Sequence, residues 1–282
     1  MEPFMKEDRQ GPSSFILKAW NEESTGITAG FSGRGGGVGA APYDSLNLAL
    51  HVGDNPEDVI ANRKLVAESL GFSLEDWTCA EQVHGSDIAV IGPTERGRGN
   101  IDRQSAIQDT DGLLTNTPGV LLTSYYADCV PLYFWDPVNQ AVGLAHAGWK
   151  GTVAGIASRM AEKMAEEFGS RAKDIRAAIG PSIGQCCYEV DEKVMLKVRD
   201  LGLPAPGNES DTDLFYTDKK NGKFMLNLKE INRHIMIKAG ILTDHIECTS
   251  WCTSCRNELF FSYRKDGGTT GRMASWIGVR KR

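Results

Sequence analysis

Basic residues are in short supply. The 282-residue chain carries 31 Lys and Arg against 37 Asp and Glu, a formal net charge of −6 and a pI near 5.5. No nucleic-acid polymer is expected as partner, because proteins that hold one concentrate positive charge on a face. Long apolar runs are missing as well: nothing approaches the roughly 18 consecutive apolar residues of a membrane span, so no membrane partner is expected. The opening Met1-Glu2-Pro3-Phe4-Met5-Lys6-Glu7-Asp8 is too charged for a signal peptide, which leads to the expectation of a soluble, cytoplasmic protein. There, seven cysteines read as reduced thiols and metal ligands rather than as a disulfide framework. Repeats, heptads and low-complexity tracts are absent. Gly33-Arg34-Gly35-Gly36-Gly37 lacks both the dinucleotide-binding spacing and the phosphate-loop Lys-Ser/Thr, and reads as a flexible turn.

What is present alternates between helix and strand signals. Residues 1–25 are polar and irregular, a frayed tail or an edge strand. Asn55 as cap, Pro56 at the first helical position, acids behind it and Gly71 as stop predict a helix over about 56–70. Between 152 and 168, Val153, Ile156, Ala157, Met160, Met164 and Phe168 share one helical face. Asn227 with Glu230 caps a third helix ending at Gly240, and a weaker one covers about 190–201. Strand-like runs lie at about 26–31, 87–91, 119–126, 130–135, 140–146, 175–179, 213–217 and 246–250. This order predicts one α+β domain over 26–282, a mixed or antiparallel sheet with helices outside. Residues 92–110 form a long loop, of a length that is functional or mobile in a compact domain.

Three segments stand out chemically: Gln82-Val83-His84-Gly85, Ala127-Asp128-Cys129-Val130-Pro131 and Ala145-His146-Ala147-Gly148-Trp149. Together they offer two imidazoles and one thiol, and three nitrogen or sulfur donors leave a metal position open to water or substrate. Asp136-Pro137-Val138-Asn139 reads as a type I turn between two apolar runs. If Asp136 faces Asn139, Cys129 falls opposite His146, with Cβ atoms roughly 4.5–5.5 Å apart. A slip of one residue would put the two on opposite faces. The competing reading of Cys129 is a small buried hydrophobe.

His245-Ile246-Glu247 followed by Cys252-Thr253-Ser254-Cys255 has the outline of a zinc nucleobase deaminase signature. Trp251 replaces the expected Pro, and the two halves are too close in sequence to occupy separate helices, so a catalytic zinc is not expected there. Cys186, Cys187, Cys252 and Cys255 are expected to be structural thiols without metal, because adjacent cysteines seldom both reach one tetrahedral ion.

The motifs resemble those of the laccase-domain purine nucleoside phosphorylases, the YfiH-like proteins once described as multicopper polyphenol oxidases. The matching segments include Ser32 to Val38, Ser45-Leu46-Asn47-Leu48, His51-Val52-Gly53-Asp54, Asn62-Arg63, the three segments above, Gly180 to Gly184, Cys186 to Val190, and Phe261-Ser262-Tyr263-Arg264. Lys150 stands where arginine is more usual after the Trp, and Gly33 where Thr is common.

The resemblance implies a layered α/β/β/α single domain of mixed sheets flanked by helices, and zinc held by His84, Cys129 and His146, with copper(II) as a competitor for the same donors. It further implies phosphorolysis of adenosine, inosine and methylthioadenosine, with hydrolytic deamination of adenosine. Asp128 is the expected proton carrier, or else a group supporting its neighbour Cys129. Arg34 is the expected phosphate-side residue, with Arg63 and Lys150 behind it. Asn47 is expected to read a purine edge or to stabilise a turn. Two rival readings differ in class: a cysteine hydrolase with Cys129 as nucleophile and His146 as base, acting on an amide such as a peptidoglycan precursor, and a polyphenol oxidoreductase. Five histidines are too few imidazoles for a multicopper oxidase.

Overall fold

Strands buried on both faces organise the molecule, which explains why its strand sequences read as apolar runs rather than clean alternations. The computed structural model describes residues 1–8, 10–23, 26–203 and 214–281. One six-stranded sheet contains β1 (Phe4–Lys6), β2 (Ser14–Leu17), β3 (Ile27–Ser32), β4 (Trp77–Cys79), β7 (Leu121–Tyr126) and β15 (Met273–Val279), in the order β1-β2-β3-β15-β7-β4. The other contains β5 (Ile88–Val90), β6 (Gly112–Thr115), β8 (Val130–Asp136), β9 (Ala141–Ala147), β10 (Arg176–Ile179) and β14 (Ile246–Cys248), in the order β14-β10-β8-β9-β6-β5. Both sheets mix parallel and antiparallel pairs. A small third sheet joins β11 (Glu189–Asp191), β12 (Tyr216–Asp218) and β13 (Lys223–Leu226).

The two large sheets pack face to face. Their shared core takes Phe31, Leu122 and Ile277 from one sheet and Tyr133, Trp135, Val142 and Leu144 from the other. On the outer face of the second sheet, Leu132, Phe134 and Ala145 meet the apolar sides of α4 (Ile156–Phe168) and α6 (Leu228–Lys238). Outside the first sheet, Trp77, Leu121, Ala274 and Trp276 pack against Val66 and Ala67 of α2 (Pro56–Ser69). The layers run α/β/β/α, as expected. Three shorter helical pieces, α1 (Lys18–Glu23), α3 (Trp149–Val153) and α5 (Glu192–Arg199), complete the described set.

Several elements depart from the sequence expectation. Of the two readings of the N-terminal segment, the edge strand holds for β1, but the segment is not irregular throughout, since Phe4, Phe15, Leu17 and Trp20 are buried in the inter-sheet core. Strand β15, central in its sheet, was not anticipated. The helix expected over 152–168 is two, α3 and α4, broken at Gly155, whose φ of 75° lies in the left-handed region. Of the strand expected over 213–217, Asp213 lies outside the described residues, and pairing begins at Tyr216.

The β8–β9 hairpin also differs in register. Asp136 pairs with Ala141, not Asn139, and His146 faces Pro131. The Asp136 carboxylate accepts from the amides of Val138 and Asn139 at 2.8 and 3.2 Å and from Asn139 Nδ2 at 2.7 Å, which winds the loop around its own side chain and lengthens it. The shift is two residues, an even number, so each side chain keeps its face. Cys129 and His146 therefore still project toward the space between the sheets.

Candidate metal centre and its cavity

His146 sits at the end of β9 on the inter-sheet face, two positions beyond the buried Leu144. Cys129 lies in the short connection from β7 to β8. His84 comes from the loop between β4 and β5. The donor atoms of the three all lie within 4.8 Å of one another. The two imidazoles meet edge to face, with ring centroids 4.8 Å apart.

A buried carboxylate that the sequence reading missed holds this arrangement. Asp111 Oδ1 accepts from the His84 amide at 3.1 Å and from His146 Nδ1 at 2.7 Å. Its Oδ2 accepts from the amides of Val83 and Gly85 at 3.1 and 2.6 Å. One group thus fixes both the loop that carries His84 and the ring of His146. The tie to Nδ1 directs Nε2 of His146 toward the thiol, the carboxylate–histidine arrangement that supports metal ligands. His84 itself has φ 61°, an uncommon conformation for a residue with a Cβ, and the Asp111 bonds to three successive amides hold it there. Gly148 completes the cradle. A Cβ at that position would lie 3.1 Å from Cys129 Sγ and 3.1 Å from His84 Cδ2.

Charge is tuned accordingly. Burial would push the Cys129 thiol up, but His146 and then His84 outweigh it and bring it down to about 6. Burial would likewise lower His146, yet Cys129 and Asp111 raise it to about 9. Burial also disfavours an ionised Asp111, and its bonds to His146 and the loop amides more than offset this, holding the carboxyl below its usual range. Cys129 is thereby predisposed to the thiolate, the form that binds metals and attacks electrophiles. A thiolate with two oriented imidazoles fits a single zinc or copper ion and leaves a coordination position over.

These donors open into a cavity of about 590 Å³, within the size range of small-molecule sites. Arg63, Arg103, Arg272, His51, Glu81 and Tyr263 are among the residues that line it. Arg103 pairs with Glu81, and the Arg272 guanidinium donates to the carbonyls of Thr270 and Gly271 at 2.7 and 3.1 Å while lying over the Tyr263 ring. The long loop over 92–110, expected to be functional or mobile, contributes Gly99, Asp102, Arg103 and Ala106 to the wall.

The remaining sequence candidates scatter. Arg34 does not line the cavity; its guanidinium donates to the Asn257 carbonyl at 2.9 Å, pairs with Asp44 at 3.6 Å and covers the Phe261 ring. Lys150 is exposed beside Trp149 and is likewise outside the lining. Asn47 is fully buried and occupied by protein partners: it donates to Ala49 O and Asp54 and accepts from the amides of Ala49 and Arg272. It stabilises a turn and is not among the residues that line the cavity. Arg63 does reach the cavity wall, but it donates to the carbonyls of Leu48, Gly99 and Asn100. Asp128, at φ 87°, accepts from Thr253 Oγ1 at 2.6 Å and from the Arg264 amide at 2.7 Å. Both carboxylate oxygens are thus taken by protein donors, and Asp128 is not among the residues that line the cavity. The deaminase-like outline also dissolves, since His245 meets the Ile175 carbonyl and Glu247 accepts from Trp20 Nε1.

Residues 28–280 match the family model described as multi-copper polyphenol oxidoreductase laccase. The chain belongs to this family. Among its relatives is the purine nucleoside phosphorylase YlmD of Geobacillus stearothermophilus, 45% identical over 256 residues that cover 91% of each chain. The purine nucleoside phosphorylase YlmD of Bacillus subtilis is 40% identical over 273 residues, 96% of each. The crystal structure of YlmD from G. stearothermophilus superposes with a TM-score of 0.92 at 43% identity and covers both chains in full. That of the Bacillus licheniformis protein YfiH gives 0.89 at 43% identity, covering 98% of this chain and 99% of its own. The copper in the family's description finds little histidine here: among the described residues, the two groups able to converge on one ion are His84-Cys129-His146 and a cluster of four cysteines.

Sequence reasoning had partial signals for what it missed. His51 and Tyr263 lie within quoted motifs, whereas Asp111 and Arg103 carry no local pattern and are recruited by the fold alone.

Proposed function

We propose that the chain is a zinc-dependent purine nucleoside phosphorylase that acts on adenosine, inosine and methylthioadenosine and also deaminates adenosine by hydrolysis. The observation that carries this reading is the open three-donor set of His84, Cys129 and His146, which lines a cavity together with Arg63, Arg103 and Arg272. The names borne by relatives at 40–45% identity supply the substrate class. Zinc held there supplies Lewis acidity and lowers the pKa of water toward neutrality, with copper a competitor for the same donors.

The chain's own residues account for the rest. In phosphorolysis a phosphate oxygen forms the bond to the ribose anomeric carbon as the bond to the purine nitrogen breaks, and the departing purine takes up a proton. Arg272 and Arg103, fixed on the cavity wall, would neutralise the phosphate, the role earlier expected of Arg34. Tyr263, exposed and part of the cavity lining, would offer a purine the ring face that Arg272 does not cover. Asp111 is a positioning residue, holding His84 and His146 for the ion. Asp128 acts the same way on Cys129.

A second reading has one specific observation in its favour. Without metal, Cys129, His146 and Asp111 form a thiolate–imidazole–carboxylate relay suited to a cysteine hydrolase. The two separate cleanly. With inosine and phosphate, the zinc-bearing protein should release hypoxanthine and ribose 1-phosphate, and Cys129→Ala should lose metal and turnover together. A covalent acyl adduct on Cys129, with no nucleoside turnover, would replace the proposal by the hydrolase.

A further inference from the structure

We propose that Cys186, Cys187, Cys252 and Cys255 bind a second zinc ion as a closed tetrathiolate, and that this ion clamps the two loops that hold Asp128. The four sulfurs lie within 4.8 Å of one another. Cys255 Sγ stands 3.5 Å from Cys186 Sγ and 3.4 Å from Cys187 Sγ, too far for a disulfide. A tetrahedral zinc with bonds of about 2.3 Å places its sulfurs roughly 3.8 Å apart. The observed spacing thus needs only small side-chain adjustments to accept the ion.

The objection that adjacent cysteines cannot share an ion is met by the local backbone. The amides of Cys187 and Tyr188 both donate to the Gly184 carbonyl at 3.0 Å, and the tight turn this closes brings both thiols to one side. The Gly184 amide donates to Cys252 Sγ at 3.2 Å, an interaction that favours a sulfur carrying negative charge. A Cβ on Gly184 would come within 3.2 Å of Cys186 Sγ and 3.5 Å of Cys252 Sγ, so the loop is packed against the cluster itself. The buried Lys229 is close enough to act electrostatically on Cys252 and Cys186, and offsets part of the charge that four thiolates would bring. Cys252 is buried while Cys186 and Cys255 are exposed, which gives an ion a route from solvent. Binding would release the thiol protons to water.

The cluster's position gives it a purpose. The Thr253 amide donates to the Ser182 carbonyl, Ile183 donates to the Asp128 carbonyl at 2.9 Å, and Thr253 Oγ1 donates to the Asp128 carboxylate. The loops joined by the four sulfurs are thus the loops that grip Asp128, whose neighbour is Cys129. A closed ion here stiffens the support of the open one.

The test is metal analysis of reduced protein purified with zinc, using wild type, His84→Ala/Cys129→Ser and Cys252→Ser/Cys255→Ser. The expected counts are two, one and one zinc per chain. Cobalt(II) loaded into His84→Ala/Cys129→Ser should show the intense sulfur-to-metal charge transfer of a tetrathiolate, a reading that does not depend on whether the Cys252 variant folds. A folded His84→Ala/Cys129→Ser protein that holds no metal, with its remaining thiols freely titratable or oxidised to disulfides, would overturn the proposal.

Discussion

Two thiol-bearing sites lie in this molecule, and their differences are instructive. At the first, one cysteine joins two histidines in the wall of a cavity of about 590 Å³, and a buried carboxylate orients the assembly. At the second, four cysteines gather on two loops with no histidine among them, and two of the four, Cys186 and Cys255, are exposed. Three donors beside open space leave a position for chemistry; four donors close the shell and leave only cross-linking. Donor count, rather than the presence of cysteine, separates a candidate reaction centre from a candidate staple.

That contrast can be broken at chosen points. Asp111→Asn should weaken metal binding at the first site by about 10–100-fold, because the amide keeps the shape but loses the charge that orients His146. Metal titration should show the four-cysteine site unaffected, and an equal loss at both would mean that Asp111 holds the whole fold. Next in size, Arg272→Ala should depress phosphorolysis more than deamination, since only the former uses phosphate, while Arg34→Ala should mainly lower thermal stability through its contacts with Asn257 and Phe261. Parallel steady-state assays with adenosine, with and without phosphate, would sharpen or reverse this ordering.

The smallest effect concerns His51. Partial desolvation in the cavity, then the charges of Arg272 and Arg103, push its pKa down to about 4. It should therefore be neutral at physiological pH. Because the folded value lies below the ordinary 6.5, the unfolded chain takes up this proton first as pH falls. The group's contribution to stability is thus present above 6.5 and declines from there toward about 4. A His51 imidazole resonance that titrates near 6.5 in the folded protein would contradict the placement of His51 among the arginines.

Legibility followed how local each signal was. Helix α2 could be read because Asn55, Pro56 and Gly71 punctuate it within one segment, and Asn55 does accept from the Glu57 amide. That His84, Cys129 and His146 meet was implied by the resemblance their motifs carry, and the parity of the β8–β9 pairing survived an error in the loop because the error was even. Strand β15 was missed because Ala274, Ser275 and Gly278 dilute its apolar pattern, although both its faces are buried. Arg34 and Asn47 looked functional by residue type, yet their partners at Asn257 and Arg272 lie more than 200 positions away and no local rule reveals them. That all four cysteines converge was illegible for the same reason: the turn at Gly184 decides whether neighbouring thiols reach one side.

The central claim is that an ion held by His84, Cys129 and His146 is required for nucleoside chemistry. Phosphorolysis of inosine, measured on metal-stripped wild-type protein before and after zinc is restored, tests it most directly. The account predicts negligible ribose 1-phosphate without metal and recovery of turnover once zinc is returned. Turnover at the full rate by the metal-free protein would contradict it.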